Sequence, residues 1–248
     1  MGTTAQKLNK ILETKEAIRT AINNKGGTLT TTDTFASYPS AIDSLPSGGG
    51  NTLKTLLDAT KSTYHLFKDY SGASIEGLIS YNDTSSVTNM REMFVGCLNL
   101  KTIPLFDTSS VTTMYSMFYR CSNLTTIPLL DTSKVSNMIS MFENCSHLTT
   151  IDITHMNTPS NYYNDYFASN CYSLTKLIIR NMDTIPALNS NAFNNCYHFT
   201  GTTNATYNPQ GLKDGRIYVP DDKVDALKTA TNWSVYADII VPLSTLVE

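Results

Sequence analysis

Residues 83–106 read DTSSVTNMREMFVGCLNLKTIPLF, residues 107–130 read DTSSVTTMYSMFYRCSNLTTIPLL, and residues 131–154 read DTSKVSNMISMFENCSHLTTIDIT. Three near-copies with a 24-residue period are the mark of stacked supersecondary units, each packing on its neighbours instead of closing on itself. The period decides the fold class before any local propensity is weighed. It predicts an α/β solenoid.

The cysteines keep the same register. Cys97, Cys121 and Cys145 are 24 residues apart, Cys171 follows after 26 and Cys196 after 25, so all five thiols hold one position of one repeat. Phe94, Phe118, Phe142 and Phe193 precede a cysteine by three residues and Phe167 by four, while Leu100, Leu124, Leu148, Leu174 and Phe199 follow by three. Five repeats are visible. Phe67 and Tyr70, ahead of Leu78 and Ile79, mimic the Phe and Cys positions and suggest a degenerate first turn.

Inside a unit, Val87, Met90, Met93, Phe94, Cys97 and Leu100 recur at steps of three and four, the stripe of a short amphipathic helix. The step then falls to two at Ile103 and Leu105, with Pro104 between them, which predicts a short strand lacking one backbone donor. Asp83, Thr84 and Ser85 precede the helical stripe and are expected to cap its free N–H groups. One such unit buries too little apolar surface to hold itself ordered. Stacking is expected to pair the strands in parallel about 4.8 Å apart and to run Met, Phe, Cys and Leu into ladders.

Composition sets the flanking pieces. Leu8, Ile11, Ile18 and Ile22 share a three-four spacing interrupted by Lys15, so residues 1–46 read as an N-terminal helical module for attachment or oligomerisation. The stripe is too short for a lone stable helix and is expected to pack on a partner, on another copy, or on the second apolar pattern of Phe35, Tyr38, Ile42 and Leu45. Residues 47–51 are a Gly-rich linker, residues 52–216 the repeat domain and residues 217–248 a C-terminal cap. In the cap, a strand at Ile217 to Val219 is followed at Pro220 and Asp221 by a helix start, with Val224 and Leu227 on one face and Trp233, Tyr236 and Ile239 beyond. A repeat stack needs its last open turn covered, and this segment is expected to cover it.

A net charge of −3 and a pI near 5.8 leave no electrostatic footprint for nucleic acid. No apolar run reaches the length of a membrane span, and the start MGTTAQKLNK lacks the hydrophobic core of a signal peptide. Five cysteines, each at a core position, fit buried thiols better than a disulfide framework. Assembly in a cytoplasm is the expectation that follows.

The unit DTSxVxxMxxMFxxCxxLxxIPL resembles the leucine-rich repeats of the BspA-like class, and the tail IYVPDDKVDALKTATNWSVYADIIVPLSTL is similar to the terminal cap of such proteins. The resemblance covers about residues 60 to 248 and implies a short helix plus a short parallel strand per repeat. KLNKILETKEAIRTAINNKGGTLTTTDTFASYPSAIDSLPSGGG resembles N-terminal segments of structural proteins from tailed bacteriophages. That likeness implies a virion component of tail, baseplate or fibre, assembled in the host cytoplasm. Residues 1–46 would engage other virion proteins and the repeats would be displayed outward.

A search for chemistry finds little. His65, His147, His155 and His198 have no metal-ligand spacing, and no GxSxG, P-loop or GxGxxG occurs. His147 stands at the position of Asn99 and Asn123, and Asp221 with Asp222 reads as helix N-terminal charge. The sequence therefore predicts no enzyme, no cofactor and no metal site. Positions that vary between repeats are the candidates for binding: Arg91, Tyr115 and Ile139 share one, Val95, Tyr119 and Glu143 another, followed by Gly96, Arg120 and Asn144. The fourth repeat adds Tyr162, Tyr163 and Tyr166, and Tyr172 and Tyr197 follow their cysteines. Tyrosine offers a rigid apolar face with a polar tip, so Tyr115, Tyr119, Arg120, Tyr162, Tyr163 and Tyr166 are the candidate contacts for a host-surface glycan or protein. Packing between repeats or subunits is the competing role for the same tyrosines. Three functions stay open: host recognition by an oligomeric virion protein, a bacterial adhesin or scaffold, and a purely architectural virion part.

Overall fold

The computed structural model describes residues 57–58, 60–76, 79, 84–156 and 164–247. The N-terminal module with Leu8, Ile11, Ile18 and Ile22, the linker at 47–51, and Tyr162 and Tyr163 lie outside the described residues.

The expected helix of each repeat is not formed. Residues 91–96, 115–120 and 139–144 are tandem turns, because alternate N–H groups are used in two directions. Met93 N donates to Met90 O, Val95 N to Glu92 O and Cys97 N to Phe94 O within the repeat. Met90, Glu92, Phe94 and Gly96 instead donate to the carbonyls of Thr113, Tyr115, Met117 and Tyr119 in the next repeat. The alternation requires left-handed residues, and φ is positive at Glu92 (55°) and Gly96 (76°), Ser116 (50°) and Arg120 (64°), Ser140 (52°) and Asn144 (65°). A turn whose third residue has φ > 0 still buries an apolar stripe at three-four spacing, which is why the sequence pattern mimics a helix. Without a helix, the aspartates cap nothing helical. Asp107 and Asp131 instead accept from the N–H of Ser109 and Ser133 two residues on, as Asx turns.

The strands appear where proline ends. Residues 101–108 and 124–129 form no strand, since Pro104 and Pro128 have no N–H to give, and Leu105 is half exposed, at 50%. Asp152 takes the proline position in the third copy, and β1 spans Thr150–His155. With β2 (Lys176–Asn181), β3 (Arg216–Val219) and β4 (Ile240–Pro242) it forms an open parallel sheet in the order β1-β2-β3-β4. The register stacks Ile151, Leu177, Ile217 and Ile240. Arg180 donates to both carboxylate oxygens of Asp152 across β1 and β2, at 2.9 and 2.7 Å. Helices are few among the described residues: besides helical residues at 57, 58 and 60 there are α1 (Tyr197–Thr200), ended by left-handed Gly201, and α2 (Val224–Thr229), with short 3-10 turns around α2. The architecture is repeat-like and mixed α/β.

The core is a set of ladders. Phe67, Phe94, Phe118 and Phe142 stack with centroids 5.5, 5.3 and 5.4 Å apart and nearly parallel planes. Phe67 thus belongs to a first turn, and Phe67 N donates to Met93 O as Phe94 N does to Met117 O. At Phe167 the next ring turns to 88°. Phe142 N donates to Phe167 O, as Phe118 N does to Met141 O, so Phe167 fills the methionine slot and Ala168 the phenylalanine slot. The large ring has moved to the neighbouring slot, with the small Ala168 making room beside it. Ala192 and Phe193, both fully buried, restore the original order.

All five cysteines are free and buried. Each thiol donates to a carbonyl of the preceding turn: Cys97 to Phe67, Cys121 to Phe94, Cys145 to Phe118, Cys171 to Phe142 and Cys196 to Ala168, at 2.8 to 3.2 Å. The thiols run in single file. Burial pushes those of Cys121, Cys145, Cys171 and Cys196 well above their ordinary range. β3 and β4 carry the sheet through the expected boundary at residue 217, and Trp233 closes the last turn. Its indole N–H donates to Pro186 O at 2.8 Å, and Tyr236 meets Phe193 edge-on at 5.5 Å. Burial pushes the Tyr236 phenol up to about 12.

Two outcomes follow from this packing. Phe118→Ala, opening a hole between Phe94 and Phe142, lowers unfolding stability by about 3–5 kcal/mol, read from denaturant melts. Mass spectrometry after brief exposure to a thiol reagent finds no adduct on the native protein and five in denaturant, since a buried thiol is neither accessible nor ionised.

Candidate functional site

The left-handed position in the middle of each turn forms a column that runs His65, Glu92, Ser116, Ser140, Tyr166. Three members, His65, Glu92 and Tyr166, carry long side chains or rings at its ends, and two serines stand between them. The dip is a shallow groove of about 340 Å³ lined by Glu92, Val95, Tyr115, Ser116, Tyr119, Ser140 and Glu143. Because three successive repeats supply these residues, backbone pairing between the repeats sets their spacing.

Of the expected contacts, Tyr115 and Tyr119 line the groove. Arg120 lies beside it, exposed, with its guanidinium 5.6 Å from the Tyr119 ring centroid. Tyr166 is 39% exposed at the end of the serine column but is not part of the lining. Arg91 lies 4.2 Å over the Tyr115 ring and holds it in place by a cation–π contact. Arg91 Nε also donates to Glu92 Oε1 at 3.2 Å, while His65 Nε2 is 2.7 Å from Glu92 Oε2. Burial pushes the Glu92 carboxyl up, but the hydrogen bonds from His65 and Arg91 outweigh it, and the net displacement is below the usual carboxylate value. Glu143 is more loosely held, accepting from Asn144 Nδ2 at 3.4 Å.

Glu92, Ser116 and Ser140 were not among the positions the sequence marked as variable. In a helix their column would turn away from that of Tyr115, whereas tandem turns bring both to one side. Gly96, Arg120 and Asn144, expected to be a free surface position, are instead constrained by the backbone. The corresponding residues Asp69, Asn170 and Asn195 also have positive φ, and a Cβ on Gly96 would strike the Asp69 carboxylate. Asn170 donates to Asn144 and Asn195 to Asn170, at 3.1 and 2.8 Å, so these amides hold repeats together.

The other tyrosines pack on one another. Tyr172 stacks on Tyr197 at 5.3 Å and meets Tyr207 at 4.8 Å, which anchors the segment after α1. His198 lies 2.7 Å from the Asp214 carboxylate, and His147 Nδ1 is 2.7 Å from Ser122 O, where Asn123 donates to Leu98 O. Among the described residues no group of three His, Cys, Asp or Glu could hold a metal ion, and no helix is long and apolar enough to cross a membrane.

Residues 61–182 match the family described as "Mycoplasma protein of unknown function, DUF285". That match is consistent with a BspA-like repeat protein, and it contains every residue that lines the groove. No curated protein matches the chain.

The Glu92 network has a signed pH dependence. Its folded carboxyl is depressed, so the stability it contributes is fully present above the unfolded value near 4.3 and is lost as pH falls through the lower folded value. Glu92→Gln therefore differs from the parent protein in unfolding free energy near neutral pH, and the gap narrows below about pH 4. Urea melts across that range measure it.

Proposed function

We propose that the chain is a bacteriophage virion structural protein of tail, baseplate or fibre. In this reading it displays a BspA-like leucine-rich-repeat solenoid that recognises the host surface. One observation carries the recognition half of the reading: the groove between Tyr115 and Tyr119, floored by serines and flanked by Glu92 and Glu143. A surface built only for packing would fill such a dip, as Tyr172, Tyr197 and Tyr207 fill theirs. The parallel pairing of successive turns and the file of buried thiols support the solenoid. The virion half rests on the likeness of residues 1–46 to phage structural segments, with Leu8, Ile11, Ile18 and Ile22 as the face that joins other virion proteins or further copies of the chain.

The second reading, a bacterial BspA-like surface adhesin or scaffold, is favoured by the family matched over residues 61–182, whose description names a Mycoplasma protein. Recognition through the groove is common to both. In the third reading, an architectural virion part, the groove meets only neighbouring subunits.

The full chain is expected to bind bacterial host cells, and Tyr115→Ala with Tyr119→Ala to weaken that binding by about tenfold or more. Binding no greater than that of a control protein removes recognition. Mass spectrometry of purified particles is expected to find the chain, and deletion of residues 1–46 to exclude it from them. Its absence from particles transfers the reading to the bacterial adhesin.

A further inference from the structure

We infer that the groove is a binding site for a neutral saccharide, with Ser116 and Ser140 as its hydrogen-bonding floor; this rests on the recognition reading above and names its ligand class. The two serines are 6% and 9% exposed, their remaining exposure opens on the groove, and their hydroxyls make no hydrogen bond among the described residues. The Thr63 and Thr108 hydroxyls also lack a partner but are sealed from solvent, and several others are used by the fold. Thr112 donates to Thr88 O, Thr125 to Lys101 O, Ser146 to Ser122 O and Thr149 to Thr125 O, each bonding back to the preceding repeat. Ser116 and Ser140 occupy equivalent positions in consecutive repeats at left-handed φ, so a small polar residue has been placed twice where the fold makes no use of its hydroxyl.

The chemistry of the lining selects the ligand. A hydroxyl both donates and accepts, as sugar hydroxyls do, and the Tyr115 and Tyr119 rings offer apolar faces for the C–H face of a sugar ring. Glu92 is already engaged by His65 and Arg91, which leaves Glu143 as the groove's loosely held carboxylate acceptor. One carboxylate without a cationic partner suits a polyol, which it serves as acceptor, better than a basic peptide, whose several cations would need several such groups. It also repels an acidic chain. About 340 Å³ lies at the small end of ligand sites, suited to one or two sugar rings rather than to a folded partner.

The test titrates the full chain on immobilised neutral oligosaccharides of hexoses and N-acetylhexosamines, with a lysine-rich peptide and an acidic oligosaccharide alongside. A neutral oligosaccharide is retained, and Ser116→Ala and Ser140→Ala each weaken it about 3- to 10-fold with unchanged melting temperature, since neither hydroxyl holds the fold. The inference is overturned if no neutral oligosaccharide is retained, if the double variant binds as tightly as the parent, or if only the lysine-rich peptide binds. Intact cells separate the two readings. Binding that survives periodate but not protease overturns the saccharide and leaves recognition standing; oligosaccharide binding without cell binding does the reverse.

Discussion

The backbone N–H of Phe94 donates forward to Met117 O while that of Cys97 turns back to Phe94 O, and the molecule depends on that alternation. A helix would spend every N–H on its own axis, and a strand would direct them only sideways. Tandem turns divide them between the two. Each repeat is thereby both a closed local unit and a rung bonded to the next. The conformation places two left-handed residues in each of the four units ending at Cys97, Cys121, Cys145 and Cys171, which costs conformational energy wherever the residue is not glycine. Asn144, Asn170 and Asn195 recover part of that cost through their amide ladder.

The side chains obey the same constraint. With turn-to-turn spacing fixed by backbone bonds, equivalent residues must meet, and only shapes that stack on their own copies fit. Phenylalanine rings do so face to face. The thiol at the cysteine position is small enough for the interior and can still donate to the carbonyl below it. Where the period lengthens around Phe167, the move of its ring to the slot beside Ala168 absorbs the irregularity and the ring turns edge-on. The ladder bends without breaking.

Much of this was legible in the amino acids. Periodicity identified the repeating units, the file of cysteines and the turn around Phe67, because equivalent core positions must repeat in sequence as they do in space. The helix was misread for a physical reason: Val87, Met90, Met93, Phe94 and Cys97 have the spacing of one face of a helix, and tandem turns bury that same face. The contrary signal lay in Gly96, Asn144, Asn170 and Asn195, residues that tolerate positive φ, recurring just before four of the five cysteines. The prolines were equally readable. Pro104 and Pro128 withhold the donors of a ladder, and β1 begins in the copy that has Asp152. Variability singled out Tyr115 and Tyr119, which line the groove, but not Ser116 and Ser140, since their place in it depends on the depth between neighbours and no single repeat displays that.

Because the groove is assembled from three consecutive repeats, its outline is a property of their order. Duplication or loss of a whole 24-residue unit preserves every interior ladder, yet it brings a different trio of outward residues together. Copying segments in register can therefore remodel the outward surface while leaving untouched the spine that keeps the chain folded.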